Sequence, residues 1–86
     1  MRLRPLTPAQ RRNLAVWVKY AGPGYSYLYD VVEDCTQRER AIIQRLADKG
    51  YLEEKPKGSA FFRVTTAGYA ALDTTEEDVW AKWQPY

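Results

Sequence analysis

Histidine is absent from the 86-residue chain, and cysteine occurs once, as Cys35. A single cysteine has no partner for an intrachain disulfide, which excludes the disulfide framework of small secreted domains. The absence of histidine removes the commonest general base and the commonest metal ligand. We therefore expect a protein that is not an enzyme and that holds neither a metal nor another cofactor.

Long apolar runs are also missing. No stretch approaches the roughly 18–20 residues that a membrane-spanning helix needs. The basic start at residues 1–5 is not followed by the apolar core of a signal peptide. The sequence predicts a cytoplasmic protein without a membrane segment.

The net charge is small, at +2, but it is unevenly distributed. Residues 1–20 carry five cations and no acid, whereas residues 73–86 carry four acids and only one cation, Lys82. This pattern predicts a basic face that meets an anion while the acidic segment points elsewhere. We expect one domain over residues 1–86, with a basic arm at 1–6 and an acidic, aromatic segment at 73–86.

Capping signals mark the first predicted helix. Thr7 suits the N-cap, Pro8 the first helical position, and Gln10 completes a capping box. One apolar stripe follows at helical spacing: Leu14, Trp17, Val18 and Ala21. The sequence Gly22-Pro23-Gly24 predicts the end of this helix.

The next segment admits two interpretations. Tyr25, Tyr27, Tyr29 and Val31 alternate, as in a strand, whereas Leu28, Val31, Val32 and Cys35 have helical spacing. Ser26 would cap such a helix. We favour the helix, because a strand leaves Leu28 and Val32 without a core.

A third helix is predicted over residues 37–49. Thr36 and Glu39 form a capping box at its start, and Gly50 supplies a left-handed stop. Its buried side holds Ile42, Ile43 and Leu46. At 100° per residue, the opposite side holds Gln37, Ala41 and Gln44, with Arg40 at one edge and Arg38 and Arg45 at the other.

Two strands and two short helices complete the prediction. Residues 51–54 and 60–65 read as a hairpin, joined by a turn that contains Lys55 and Lys57. Thr65 caps a helix that runs to Leu72, and Thr74 to Glu77 form a capping box before a last helix. The predicted core contains Leu14, Trp17, Val18, Leu28, Val32, Ile42, Leu46, Leu52 and Val64.

Two segments resemble the winged helix-turn-helix family, in particular MarR-type regulators and small phage winged helices. Residues 45–54 (RLADKGYLEE) are similar to the family's passage from recognition helix to wing. Residues 62–68 (FRVTTAG) resemble the exit from the wing. The resemblance spans about residues 7–72 and implies a mainly α fold with a β-hairpin: a three-helix core, a two-stranded wing and a short C-terminal helix.

The resemblance also implies a prokaryotic or phage transcriptional regulator that binds double-stranded DNA. The helix over 37–49 would read the major groove and the wing would touch the backbone. Glutamines suit adenine, an alanine methyl suits thymine, and arginines suit phosphate or guanine. The candidate contacts are Gln37, Arg38, Arg40, Ala41, Gln44 and Arg45 from the helix, Lys55, Lys57 and Arg63 from the wing, and Arg2 and Arg4 from the arm.

A second interpretation is a winged helix that binds another protein, as an inhibitor or adaptor. Exposed tyrosine is enriched at protein interfaces, which makes Tyr27 and Tyr29 candidates for the contact surface. Trp80 and Trp83 would either form a dimer seam or dock on the first helix near Trp17. The chain is accordingly expected to be a monomer or a homodimer.

Overall fold

A computed structural model describes residues 5–32 and 35–83 of the chain. The elements in chain order are α1 (Pro8–Ala21), β1 (Ser26–Tyr27), α2 (Leu28–Val31), α3 (Gln37–Asp48), β2 (Leu52–Glu54), β3 (Phe61–Val64), α4 (Thr66–Ala71) and α5 (Glu76–Lys82). These two described ranges contain five helices and a three-stranded antiparallel sheet, in which β3 is the middle strand. No helix in them is both long and apolar enough to cross a membrane.

Three helices, α1, α3 and α4, begin where the capping residues predict them. At α1, the Gln10 backbone N–H donates to Thr7 Oγ1 at 3.2 Å, and the Thr7 N–H donates to Gln10 Oε1 at 3.1 Å. The Thr36 and Thr65 hydroxyls cap α3 and α4, each accepting from the backbone N–H three positions on. The reciprocal half of the capping box predicted for Thr36 and Glu39 is not formed, because Glu39 Oε1 accepts from the Thr36 hydroxyl and not from its backbone N–H. Gly50 follows α3 with φ at 88°, the predicted left-handed stop.

The segment before α3 differs from the favoured interpretation. Its helix is a single turn, and Ser26 does not cap it, because Ser26 and Tyr27 form β1 and pair with Phe62 and Phe61 of β3. The strand-like alternation therefore describes β1, and the helical spacing describes α2, which follows it directly. Cys35 lies beyond α2 and not on its buried stripe.

The predicted hairpin is confirmed as an antiparallel pair. Leu52 pairs with Val64, and Glu54 pairs with Phe62. The sheet has one strand more than the two-stranded wing that was predicted, because β1 pairs with the other edge of β3. The sheet therefore ties the segment between α1 and α2 to the hairpin.

The core forms where α1, α3 and the inner face of the sheet meet. Six of the nine predicted core residues are buried, namely Leu14, Trp17, Leu28, Leu46, Leu52 and Val64. Val18, Val32 and Ile42 are only partly buried. The core also takes in Ala21, Ile43, Tyr51, Phe62 and Tyr69. Trp17 meets Phe62 edge-on, with the ring centroids 5.9 Å apart, so that α1 packs directly on β3.

The last helix begins one residue later than predicted. Thr75, not Thr74, is the N-cap, and its hydroxyl accepts from the Asp78 N–H at 3.1 Å. The acidic segment does not point away from the basic one, because Arg11 of α1 lies 3.7 Å from Asp73 and donates to the Ala71 carbonyl at 2.6 Å. The start of the acidic segment therefore lies against α1.

Candidate nucleic-acid interface

The outer face of α3 has the composition and exposure that the helical periodicity predicts. Gln37, Ala41 and Gln44 are all exposed, and together with Arg40 they line one shallow depression. The opposite side of the helix is fixed in the core by Ile43 and Leu46. The amphipathic pattern of α3 thus determines which of its side chains can reach a ligand.

A groove runs between this face and the hairpin; we call it the basic groove. Arg40 and Gln44 of α3 line one side of it, and Lys57 and Gly58 of the turn line another. The groove has a volume of about 350 Å³. The structure therefore brings together side chains that are 13 residues or more apart in sequence, on one concave surface.

Four of the exposed cations of α3 and the hairpin turn are unpaired within the described residues, and of these Lys57 lines the basic groove. Arg38, Arg45, Lys55 and Lys57 are exposed and have no ion pair or hydrogen bond within residues 5–32 and 35–83. Two nearby acids are engaged: Glu54 accepts from the Ala60 N–H at 2.9 Å, and Asp48 accepts from Gln44 Nε2 at 3.4 Å. The free guanidinium and ammonium groups are suited to phosphate oxygens.

Arg40 is held in place by a contact that the sequence analysis did not predict. Its Nη1 donates to the phenolic oxygen of Tyr29 at 3.0 Å, and this hydrogen bond raises the pKa of the guanidinium. Tyr29 also lines the basic groove. Tyr29 and Arg40 are 11 residues apart and separated by a loop, so no sequence pattern predicts their contact. The pair is visible only in the folded structure.

Arg63, like Lys55, is a predicted wing residue that does not line the basic groove. It projects from the outer face of the sheet, where Nη2 lies 2.9 Å from Glu76 Oε1 and the guanidinium lies 5.8 Å from the Tyr25 ring centroid. Beside it, the Tyr25 hydroxyl donates to Glu53, which lowers the pKa of Glu53 and raises that of Tyr25. Arg63 therefore joins the sheet to α5.

The two candidate interface tyrosines form part of an aromatic surface. The Tyr27 ring centroid lies 5.3 Å from that of Tyr29 and 5.0 Å from that of Phe61. Tyr29 and Phe61 are 44% and 42% exposed. Tyr27 and Tyr29 lie close together as predicted, but Tyr27 is half-buried and not exposed, and it projects from β1 and not from a helix.

The two candidate tryptophans have different surroundings. Trp83 is partly buried and its ring lies against Gly22, at the end of α1, whereas Trp80 is 58% exposed. Docking near the first helix thus applies to Trp83 alone. The remaining candidates, Arg2 and Arg4 of the basic arm, lie outside the described residues.

Few groups in the described chain have the character of a reactive site. Residues 5–32 and 35–83 contain no cluster of three or more side chains suited to a metal ion. Burial raises the pKa of the Cys35 thiol, which lowers its thiolate fraction at neutral pH.

Comparisons with protein-family models, with curated proteins and with solved structures found no match for this chain.

Proposed function

We propose that the chain is a winged-helix domain that binds double-stranded DNA and regulates transcription without catalysing a reaction. In this proposal α3 enters the major groove, where Gln37, Ala41 and Gln44 meet base edges. The hairpin turn places Lys55 and Lys57 on the phosphate backbone. The observation that carries the proposal is the basic groove, in which the exposed face of α3 and the hairpin lysine share one surface.

The order of the elements supports the winged-helix assignment. Three helices precede the hairpin, and the sheet packs against the helices through Trp17 and Phe62. The third of the helices leaves its polar face uncovered. The resemblance of residues 45–54 and 62–68 to winged-helix proteins implies the same features.

The charges around the basic groove support phosphate contact despite the small net charge of +2. Glu76 is paired with Arg63 away from the groove, and Glu54, which lines the groove, accepts a hydrogen bond from the Ala60 backbone N–H. Within the described residues, the two lysines of the hairpin turn and two of the three arginines along the edges of α3 have no ion pair or hydrogen bond. A nearly neutral molecule can therefore present a locally positive face.

The test is a fluorescence-anisotropy titration of a labelled random duplex at two salt concentrations. We expect binding that weakens by roughly 40- to 500-fold between 50 and 200 mM salt, as three to five phosphate contacts require. Absence of binding below about 10⁻⁴ M at low salt, the weak end of non-specific association, would contradict the proposal.

A protein partner is the second candidate function, and the aromatic surface of Tyr27, Tyr29 and Phe61 favours it. Large exposed rings supply much of the binding energy at protein interfaces. Replacing both tyrosines by alanine should abolish capture of such a partner while circular dichroism shows an intact fold. Capture that survives the double substitution excludes this surface.

A further inference from the structure

Tyr29 also borders a second concave site, between α1, α2 and α3, which we call the interhelical cleft. The cleft has a volume of about 560 Å³, within the range of about 300–1,000 Å³ that small-molecule sites occupy. Trp17 and Ile43, each 1% exposed, form its floor, and Val16 is part of its exposed wall. The cleft therefore offers a well-packed base and an accessible rim.

Aromatic rings make up much of the wall. Trp17, Tyr20 and Tyr29 all line the interhelical cleft. Aromatic faces attract organic cations through the negative charge of the ring face. The Tyr20 ring already has one cation beside it, because the Lys19 ammonium lies 5.4 Å from its centroid.

The charges of the cleft have one sign. Asp30 and Glu39 line it, and Asn13 is its one further polar side chain apart from the tyrosines; no lysine or arginine is among the described lining residues. Glu39 Oε1 accepts one hydrogen bond, from the Thr36 hydroxyl at 3.3 Å, which leaves acceptor sites for a ligand. Lys19 and Arg40 contact Tyr20 and Tyr29 but do not line the cleft, and the carboxylates that line it favour a cation over an anion.

We propose that the interhelical cleft binds amphipathic organic cations, in which a quaternary or protonated amine is attached to an apolar body. The amine meets Asp30, Glu39 and the tyrosine rings, while the apolar body packs on Val31 and Val32 of the wall. The interhelical cleft shares Tyr29 with the basic groove, so cation binding is measured in the absence of DNA.

The test uses benzyltrimethylammonium as the probe and neopentylbenzene, its uncharged carbon isostere, as the matched control. Each is titrated into the free protein without DNA and followed by backbone amide NMR. We expect saturable one-to-one binding of the cation, with shifts concentrated around the cleft, and clearly weaker binding of the isostere. Equal binding of both, or no saturation by the cation up to about 10 mM, would overturn the proposal.

Variants test the carboxylates. The double variant Asp30→Asn/Glu39→Gln, which keeps an acceptor beside Thr36, should weaken cation binding at least about fivefold. Glu77→Gln, an exposed acid of α5 outside the cleft, is the control and should bind as the wild type does. Unchanged affinity in the double variant overturns the proposal. The single variants provide the same comparison if the double variant fails to fold.

Discussion

Gly22 ends α1 directly against the indole ring of Trp83. A Cβ atom placed at Gly22 would overlap the six-membered ring of Trp83, and Gly22 has φ at 68°. The close approach lets the residue that follows α5 pack on the end of α1. It explains how the acidic, aromatic segment is fixed to the rest of the domain.

This contact predicts a double-mutant relationship. Gly22→Ala should destabilise the protein both through the backbone and through overlap with Trp83. In a Trp83→Ala background only the backbone strain remains, so the loss should be smaller by about 1 kcal/mol or more. Urea unfolding of the four proteins measures the difference. An identical loss in the two backgrounds would show that Trp83 does not lie on Gly22.

Tyr69 predicts a stabilising substitution. Its side chain is 1% exposed, and its hydroxyl has no hydrogen-bond partner within the described part of the chain. Tyr69→Phe removes that unpaired group and keeps the ring, so we expect a gain of about 1 kcal/mol in the free energy of unfolding. Tyr69→Leu, which leaves a cavity, should lose stability. A loss in the Phe variant would mean that the hydroxyl is bonded.

The same residue gives a pH dependence. Burial raises the pKa of Tyr69, so the folded protein resists its ionisation. A group with a raised pKa stabilises the fold below its unfolded value, near 10, and this contribution is lost as the pH rises through the folded value. The wild type should therefore lose more stability than Tyr69→Phe above about pH 10. Parallel alkaline unfolding curves for the two proteins would contradict this assignment.

The register of α3 is tested by two of its aliphatic residues. Leu46 is fully buried, and Leu46→Ala should cost about 2–5 kcal/mol. Ile42 is only partly buried, so Ile42→Ala should cost clearly less. Thermal or urea unfolding measures both. Equal losses, or a greater loss at Ile42, would show that α3 is rotated relative to this structure.

Local interactions explain which parts of the fold the sequence predicts. Thr7, Thr36 and Thr65 cap their helices through residues three positions away, and Gly50 ends α3 by its own backbone preference. Strand β1 is different, because Ser26 is paired with a residue 36 positions later. The alternation of Tyr25 and Tyr27 is a signal for β1, but two residues are too few to compete with a helical pattern.

The candidate site also contains some features that local sequence patterns predict and others that they do not. The exposed face of α3 follows from helical periodicity, whereas the hydrogen bond from Arg40 to Tyr29 and the ion pair from Arg63 to Glu76 depend on tertiary packing. Tyr69 lies in the core, which the sequence analysis did not predict. It is nevertheless the single large apolar side chain between Thr66 and Ala71. Treating the tyrosines as surface residues concealed that signal.

Sequence discrimination tests the role of Gln44. A side chain on a base edge carries sequence information, and a good bidentate pair is worth about 1–3 kcal/mol. Gln44→Ala should therefore weaken binding to a preferred duplex, selected from a random pool, much more than binding to random DNA. Competition anisotropy measures the ratio of the two affinities. An unchanged ratio would remove Gln44 from base contact.

The salt dependence of duplex binding tests the central claim most directly. Lys57 lines the basic groove, whereas Lys82 is an exposed cation of α5, and alanine removes one charge from either. We predict that Lys57→Ala weakens binding to every duplex and lowers the slope of log K against log salt by about 0.9, as the loss of one phosphate contact requires. Lys82→Ala should leave the slope unchanged. Equal slopes in the wild type and both variants, or no duplex binding at all, would contradict the assignment of the basic groove to DNA.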